Sequence, residues 1–207
     1  GTHEAMLVTD TTISIYDYAT EKVSRQYVVP GVVSICPLRG NEIAVGKSTG
    51  QIDILNAVSG QTVRKYFLNT VSSNSSNTPQ PLEIKQGSNG NLVVATGLNG
   101  LITITPSGVI SHFVHDPINP NSLVSTSTYR LATGKNGEVV VGTSTSGLSI
   151  YNTQLIQAGF KGFFTDESGS YYDNYTGRMV ESGNNIIWIG TYDRLIRWDK
   201  NAKTSPF

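Results

Sequence analysis

The residues best suited to bind a ligand form a tyrosine-rich stretch late in the chain. Aromatic rings offer flat faces for sugar rings, and amide, carboxylate and guanidinium groups form hydrogen bonds with hydroxyls. This combination predicts a carbohydrate contact; the alternative is that the tyrosines pack on the rest of the chain or on a partner. The tyrosine-rich stretch comprises Tyr171, Tyr172, Asp173, Asn174, Tyr175 and Arg178.

Two further candidates, Tyr129 and Arg130, begin a predicted strand and could line a central channel or serve a structural role.

Motifs for catalysis or metal binding are not found in the sequence. There is no HExxH, CxxC, nucleophile elbow or P-loop. His112 and His115 could lie near one another, but strand-edge and loop positions explain them more simply than a metal pair. Glycoside hydrolysis needs two acids that converge across a pocket, whereas Asp166, Glu167 and Asp173 share one predicted loop. We therefore expect a protein that is not an enzyme and has no metal or cofactor.

The composition favours many short strands and turns. Lys and Arg number 15, as do Asp and Glu, so charge gives no case for nucleic acid or for an anionic membrane as partner. Only 14% of residues are charged, 21 are glycine, and no segment has a clear helical period. The one cysteine, Cys36, lies in an apolar run and is expected to be buried and inert. No apolar run reaches the roughly 18 residues of a membrane span, and we expect no direct membrane contact.

A strand, a small residue, a polar turn and a second strand recur along the chain. The small residues are separated by 38, 49, 47 and 48 positions. A repeat of about 40 to 50 residues with four strands in each unit is typical of a β-propeller. We therefore predict an all-β chain that forms a propeller or a partial propeller. The aligned small positions are Val8, Gly46, Ala95, Gly142 and Gly190.

The four strands of a unit are called A to D, with A nearest the central axis. The pattern predicts five B–C hairpins but only four A and four D strands, which amounts to about 4.5 to 5 blades. We expect this single segment to be part of a longer chain. In an up-and-down unit the D–A and B–C connections share one face. The long connections 69–80, 115–127 and 166–174 are all D–A, which places binding on that face. The units span residues 1–29, 30–68, 69–114, 115–165 and 166–207.

Two positions of the repeat are expected to control how units stack. Glycine at the end of a B strand allows close approach of a neighbouring unit. A C-strand aromatic residue should pack between adjacent units, as predicted for Tyr16, Tyr151 and Trp198. Because one four-stranded unit cannot bury both of its faces, stability is expected to come from stacking.

Residues 115–152 contain, in order, Asp116-Pro117, Ser122-Leu123, Gly142-Thr143, Gly147-Leu148 and Tyr151-Asn152. With this order of short motifs the segment resembles the two-component regulator propeller repeat. That repeat contains an Asp-Pro-Asn-rich loop, Ser-Leu, an A strand, Asn-Gly, Trp-Ile-Gly-Thr, Gly-Leu and Tyr-Asn or Tyr-Asp. The last unit carries Trp-Ile-Gly-Thr intact at Trp188 to Thr191, and the first three units match more loosely. The other matching residues are Asp116, Pro117, Asn121, Ser122, Leu123, Gly137, Gly142, Thr143, Gly147, Leu148, Tyr151 and Asn152.

The resemblance implies the sensor region of a bacterial hybrid two-component regulator. Such regions are periplasmic or otherwise extracytoplasmic, often contain seven-bladed propellers, and usually respond to oligosaccharides. It therefore implies a non-catalytic ligand-sensing module with an oligosaccharide ligand and, as protein partner, the remaining propeller blades or a homodimer partner. The alternatives are a protein–protein interaction scaffold, as in tryptophan-aspartate repeat propellers, and a propeller enzyme such as a glycosidase or lyase.

Overall fold

The described part of the chain consists almost entirely of β-strands. The structure is a computed structural model that describes residues 3–70, 78–119, 121–134, 138–144, 146–151, 157–161, 177–182, 186–192 and 195–199. These residues form 18 strands and one short 3-10 helix, Leu68–Thr70. None of the described helical residues forms a segment that is long and apolar enough to cross a membrane.

The strands form five antiparallel sheets, here called sheets 1 to 5, in which each strand pairs with the next along the chain. Sheet 1 contains β1 (Glu4–Val8), β2 (Thr12–Asp17) and β3 (Lys22–Val28). Sheet 2 contains β4 (Val32–Leu38), β5 (Glu42–Lys47), β6 (Gln51–Asn56) and β7 (Thr62–Phe67). Sheet 3 contains β8 (Glu83–Gln86), β9 (Leu92–Ala95), β10 (Leu101–Ile104) and β11 (Ile110–Phe113). Sheet 4 contains β12 (Thr128–Thr133), β13 (Val139–Thr143), β14 (Leu148–Tyr151) and β15 (Gln157–Lys161), and sheet 5 contains β16 (Met179–Glu181), β17 (Ile186–Gly190) and β18 (Leu195–Asp199).

The five predicted B–C hairpins are present, and the order of strands agrees with the sequence prediction. The D strand of sheet 4 differs, because it was expected at residues 160–165 and lies at Gln157–Lys161. Tyr151 of β14 pairs with Gln157, and the register of the two strands shifts between Ile150 and Tyr151. The D strand therefore begins three residues earlier than predicted. The strand Gln157–Lys161 itself contains none of the β-branched residues that mark a strand in sequence. The predicted strand start at 203–207 lies outside the described residues.

Four clusters of buried apolar side chains hold the sheets together, one between each pair of consecutive sheets. Neighbouring residues of one strand contribute to different clusters: Val93 packs towards sheet 4, whereas Val94 packs towards sheet 2. The A strands β4, β8, β12 and β16 lie side by side in that order. The sheets thus stack face to face around their A strands, as expected for propeller units. Cys36 is buried in the cluster between sheets 2 and 3, as predicted.

The predicted close approach at the B-strand glycine is confirmed in sheet 2. A Cβ atom added to Gly46 would lie 2.5 Å from Ser34 Oγ and 2.7 Å from Pro81 Cγ, and Pro81 belongs to the segment that leads into sheet 3. The Ser34 hydroxyl donates a hydrogen bond to the Pro81 carbonyl at the same point. In sheet 5 the described residues make no such close approach, since the nearest of them to a Cβ on Gly190 is the Arg178 carbonyl at an ordinary contact distance of 3.5 Å.

The predicted packing of C-strand aromatic residues is confirmed for two of three. Tyr151 is buried between sheets 3 and 4, with its ring centroid 6.3 Å from that of Phe113. Trp198 is buried between sheets 4 and 5. Tyr16 is an exception: its ring makes an edge contact with Tyr18 at 5.6 Å and belongs to none of the four clusters. The reason is its position, since the described sheets pack only on the other side of sheet 1.

Candidate functional site

A polar cavity of about 470 Å³ opens between sheets 2, 3 and 4. Its described lining comes from B–C hairpins, from the segment that leads into β8 and from the start of β12, so it lies on the face where the sequence placed binding. The lining residues are Ser48, Thr78, Gln80, Leu82, Thr96, Gly97, Leu98, Asn99 and Tyr129.

The wall between sheets 3 and 4 is held by a dense set of hydrogen bonds. Gly97 and Thr128 exchange both backbone N–H···O bonds at 2.8 Å. The hydroxyls of Thr96 and Thr128 both donate to the Gly100 carbonyl, at 2.6 and 2.5 Å. Both threonine side chains are buried. These bonds fix the β9–β10 hairpin against the start of β12, and therefore fix the adjacent Tyr129 relative to the hairpin.

The other wall is the β5–β6 hairpin of sheet 2. The Ser48 N–H donates a hydrogen bond of 2.9 Å to the Gly31 carbonyl, which ties this hairpin to the segment that precedes β4. Leu68 N–H, at the start of the 3-10 helix, donates to the Gly50 carbonyl at 2.9 Å. The hydroxyl of Ser48 therefore belongs to a turn that is anchored on both sides.

The described lining offers neutral hydrogen-bonding groups and one aromatic ring. Hydroxyls come from Ser48 and Thr78, amides from Gln80 and Asn99, and the ring from half-buried Tyr129. Asn99 is buried, and its backbone carbonyl accepts a hydrogen bond of 2.5 Å from His112 Nε2. Hydroxyl and amide groups both donate and accept, which suits a neutral ligand with many hydroxyl groups.

The residues predicted from sequence are only partly brought to this cavity. Tyr129 lines it. Arg130, the next residue, donates from Nη1 to the Tyr129 carbonyl at 2.9 Å, and its buried Nε has no partner among the described residues. Arg178 is exposed beside β16, where its carbonyl accepts a bond from the Gly190 N–H at 2.9 Å. The other candidates, Tyr171, Tyr172, Asp173, Asn174 and Tyr175, lie outside the described residues and stay a prediction.

Sequence reasoning missed the polar residues of the B–C hairpins. Ser48 lies two positions after the aligned Gly46, and Gly97 lies two positions after the aligned Ala95. The repeat alignment already placed the B–C hairpins on the binding face. A comparison of the residues two positions after the aligned small residue in each unit would therefore have identified Ser48. Thr78 and Gln80 carried no such signal, because they lie at the end of a long connection without a repeated pattern.

His112 and His115 have structural partners. His112 bonds to the Asn99 carbonyl, and His115 Nδ1 lies 2.6 Å from the Leu123 carbonyl. Among the described residues no group of three or more His, Cys, Asp or Glu side chains is arranged to hold a metal ion. Leu123, part of the Ser-Leu motif, is buried between sheets 3 and 4. The preceding Ser122 hydroxyl donates to the Asp116 carbonyl at 2.9 Å, so this motif shapes the connection between the sheets.

No family model matches the chain, and no curated protein matches its sequence. Among solved structures, the Cps50 (Swd1) β-propeller domain of Myceliophteria thermophila matches 99% of the chain with a TM-score of 0.70 and 11% identity. BamB from Moraxella catarrhalis matches 99% with a TM-score of 0.66 and 13% identity. A protein of unknown function from Bacteroides thetaiotaomicron matches 90% with a TM-score of 0.61 and 10% identity.

These similarities establish the fold and no more than the fold, since all three identities are low. The chain has a β-propeller-like fold composed of repeated antiparallel sheets. It spans 65% of the Swd1 propeller chain, 61% of BamB and 53% of the Bacteroides protein.

Proposed function

We propose that the chain is a non-catalytic, ligand-sensing propeller segment of a bacterial two-component signalling protein, and that it recognises an oligosaccharide. Its five sheets are then successive blades of one propeller segment that spans residues 1–207, and its location is periplasmic or otherwise extracytoplasmic. The similarity of residues 115–152 and of the Trp-Ile-Gly-Thr sequence at 188–191 to the two-component regulator repeat supports this role.

The observation that carries the oligosaccharide proposal is the chemistry of the cavity. Hydroxyl and amide side chains surround the ring of Tyr129, and the described lining contains no charged residue. A sugar could stack on that ring while its hydroxyls exchange hydrogen bonds with Ser48 and Asn99. A charged ligand would lose hydration when it enters the cavity, and the described lining has no charged side chain to form an ion pair with it. A neutral glycan is therefore favoured.

The absence of charge in the described lining also supports a binding role over catalysis. Glycosidases place two carboxyl groups across the scissile bond, one of which donates a proton. Ser48, Thr78, Gln80 and Asn99 cannot supply that acid at neutral pH. Binding without turnover is therefore the proposed activity.

A second candidate is a protein-interaction scaffold. The observation in its favour is the exposure of apolar side chains on the outward faces of the end sheets, which include Leu7 and Leu195. Exposed apolar patches often mark protein contacts. This candidate is compatible with the first, since cavity and end faces are separate surfaces.

Calorimetry against a panel of neutral oligosaccharides tests the first proposal. One or more glycans should bind, and Tyr129→Ala and Asn99→Ala should each weaken binding by about tenfold or more. Tyr18→Ala is the matched control, because Tyr18 is an exposed tyrosine in the connection between β2 and β3, away from the cavity. It should leave the affinity unchanged.

Two results would contradict the proposal. Equal affinity of the Tyr129→Ala and Asn99→Ala proteins for a glycan that does bind would remove the cavity as the site. Hydrolysis of a panel sugar by the purified chain would replace sensing by catalysis.

A further inference from the structure

The outward face of sheet 1 exposes a position that is buried in every other sheet. Leu7 precedes the aligned small residue of its unit and is 53% exposed. The four equivalent residues in sheets 2 to 5 are fully buried, and each belongs to the cluster shared with the preceding sheet. These equivalents are Val45, Val94, Val141 and Ile189.

The outward face of sheet 5 shows the complementary exposure. Leu195 pairs with the aligned Gly190 and is 66% exposed. The residues that pair with the aligned small residue in sheets 1 to 4 are fully buried against the following sheet. These equivalents are Ile13, Ile52, Leu101 and Leu148.

Other residues extend both faces. On sheet 1, Tyr16 occupies the column of Tyr151 and Trp198, which are buried against their preceding sheets. On sheet 5, Val180 pairs with Trp188 and is exposed. Each end of the array thus presents the apolar half of an interface that the molecule already forms four times internally.

We propose that these two faces bind each other between copies of this chain, so that sheet 5 of one copy packs on sheet 1 of the next. The interface would continue the stacking of sheets 1 to 5, with Leu195 of one copy covered as Leu148 is covered in sheet 4. The contact is head to tail, since it joins two different faces.

The charge of the chain favours a second copy as the occupant. Its 15 basic and 15 acidic side chains give a formal net charge of zero at pH 7, so copies do not repel one another through net charge. Every copy also carries both of the faces that the contact requires, one on sheet 1 and one on sheet 5. This proposal is independent of the cavity and does not require an oligosaccharide.

Sedimentation velocity of the purified chain over about a hundredfold range of concentration tests the proposal. The average mass should rise above the 22.3 kDa of one chain as concentration increases. Leu7→Lys alone and Leu195→Lys alone should each be monomeric, because each sample lacks one of the two faces. Since both side chains are exposed, both variants should keep the wild-type melting temperature.

Mixing the two variants separates a head-to-tail contact from any other. The Leu7→Lys copy keeps an intact sheet 5 face, and the Leu195→Lys copy keeps an intact sheet 1 face. An equimolar mixture should therefore form 1:1 dimers that do not extend further. Ile118→Lys, at an exposed residue in the connection between β11 and β12, is the control and should associate like the wild type.

Three results would overturn the proposal: a wild-type chain that stays monomeric throughout, single variants that associate as the wild type does, or a mixture that remains monomeric while the wild type associates. The first result would mean that the two faces pack against β-sheets other than those of a second copy of this chain. The second would place self-association on a different surface.

Discussion

The carboxylate of Glu83 in β8 accepts a hydrogen bond of 2.8 Å from the backbone N–H of Leu131 in β12. β12 is the first strand of sheet 4, and a strand at the edge of a sheet presents backbone groups without a strand partner. The carboxylate supplies the missing acceptor, and Lys85 Nζ lies 3.5 Å from its other oxygen. One side chain of sheet 3 therefore completes the hydrogen bonding of sheet 4 beside its A strand.

Removing this acceptor should destabilise the fold. Glu83→Ala leaves the N–H of the fully buried Leu131 without its partner, and we expect a loss of about 1.5 to 3 kcal/mol in the free energy of unfolding. Glu83→Gln keeps a neutral acceptor and should lose clearly less. Urea unfolding measures both variants. Equal losses for alanine and glutamine would show that the acceptor contributes little.

The contact at Gly46 predicts a difference between two glycine substitutions. Gly46→Ala forces a Cβ atom against Ser34 and Pro81, and overpacking of this kind costs about 1 to 3 kcal/mol. Gly190→Ala is the matched control, since its Cβ finds ordinary contact distances. Thermal melting should show a lower melting temperature for the first variant only. A similar decrease in both would mean that the close contacts of Gly46 are not the cause of the loss.

A buried ion pair in sheet 2 predicts non-additive effects. Lys47 Nζ lies 2.8 Å from Asp53 Oδ2, and the Asp53 side chain is almost entirely buried. Lys47→Met removes the cationic partner of this buried carboxylate, which keeps only uncharged partners such as the Gln51 amide, and should cost about 3 kcal/mol. The double variant Lys47→Met with Asp53→Leu removes both charges and should recover much of that loss. Additive losses in a double-mutant cycle by denaturant unfolding would refute this coupling.

Burial of Tyr151 predicts a loss of stability at high pH. Desolvation raises the pKa of Tyr151 to about 12, above the ordinary value of 10.0. Because the folded-state pKa is the higher one, this contribution is fully present below pH 10 and is lost as the pH rises through 12. The loss should reach about 2 to 3 kcal/mol. Tyr151→Phe should be folded at pH 7 and lose less stability than the wild type between pH 10 and 12; identical profiles would contradict this assignment.

Most of the strand order could be predicted from sequence because the central strands of sheets 2 to 4 are buried on both faces. A short apolar run such as Val139 to Val141 then appears in each unit at a constant distance from a small residue. The position of β15 was missed because pairing with β14, and not local preference, determines it. Tyr16 was wrongly predicted to pack between units. The repeat alignment indicates which face of the sheet its side chain occupies, but not whether a neighbouring sheet covers that face.

The candidate site was harder to predict than the fold. Ser48, Asn99 and Tyr129 come from three sheets, and each is an ordinary turn or strand residue within its own segment. Their juxtaposition follows from the stacking of sheets, which single-sequence patterns do not describe. The Ser-Leu pair of the repeat motif, Ser122-Leu123, has a structural role, as does Thr143, whose hydroxyl donates to the Gly147 carbonyl at 2.8 Å.

The single thiol gives this molecule a built-in probe of its motions. Cys36 is buried between sheets 2 and 3, and burial raises the pKa of its thiol, so a thiol reagent can react only when those sheets separate. The labelling rate of the unmodified protein then reports the opening free energy of one inter-sheet junction in the middle of the array. Comparing that rate with global unfolding would show whether the stack opens sheet by sheet or as one cooperative unit.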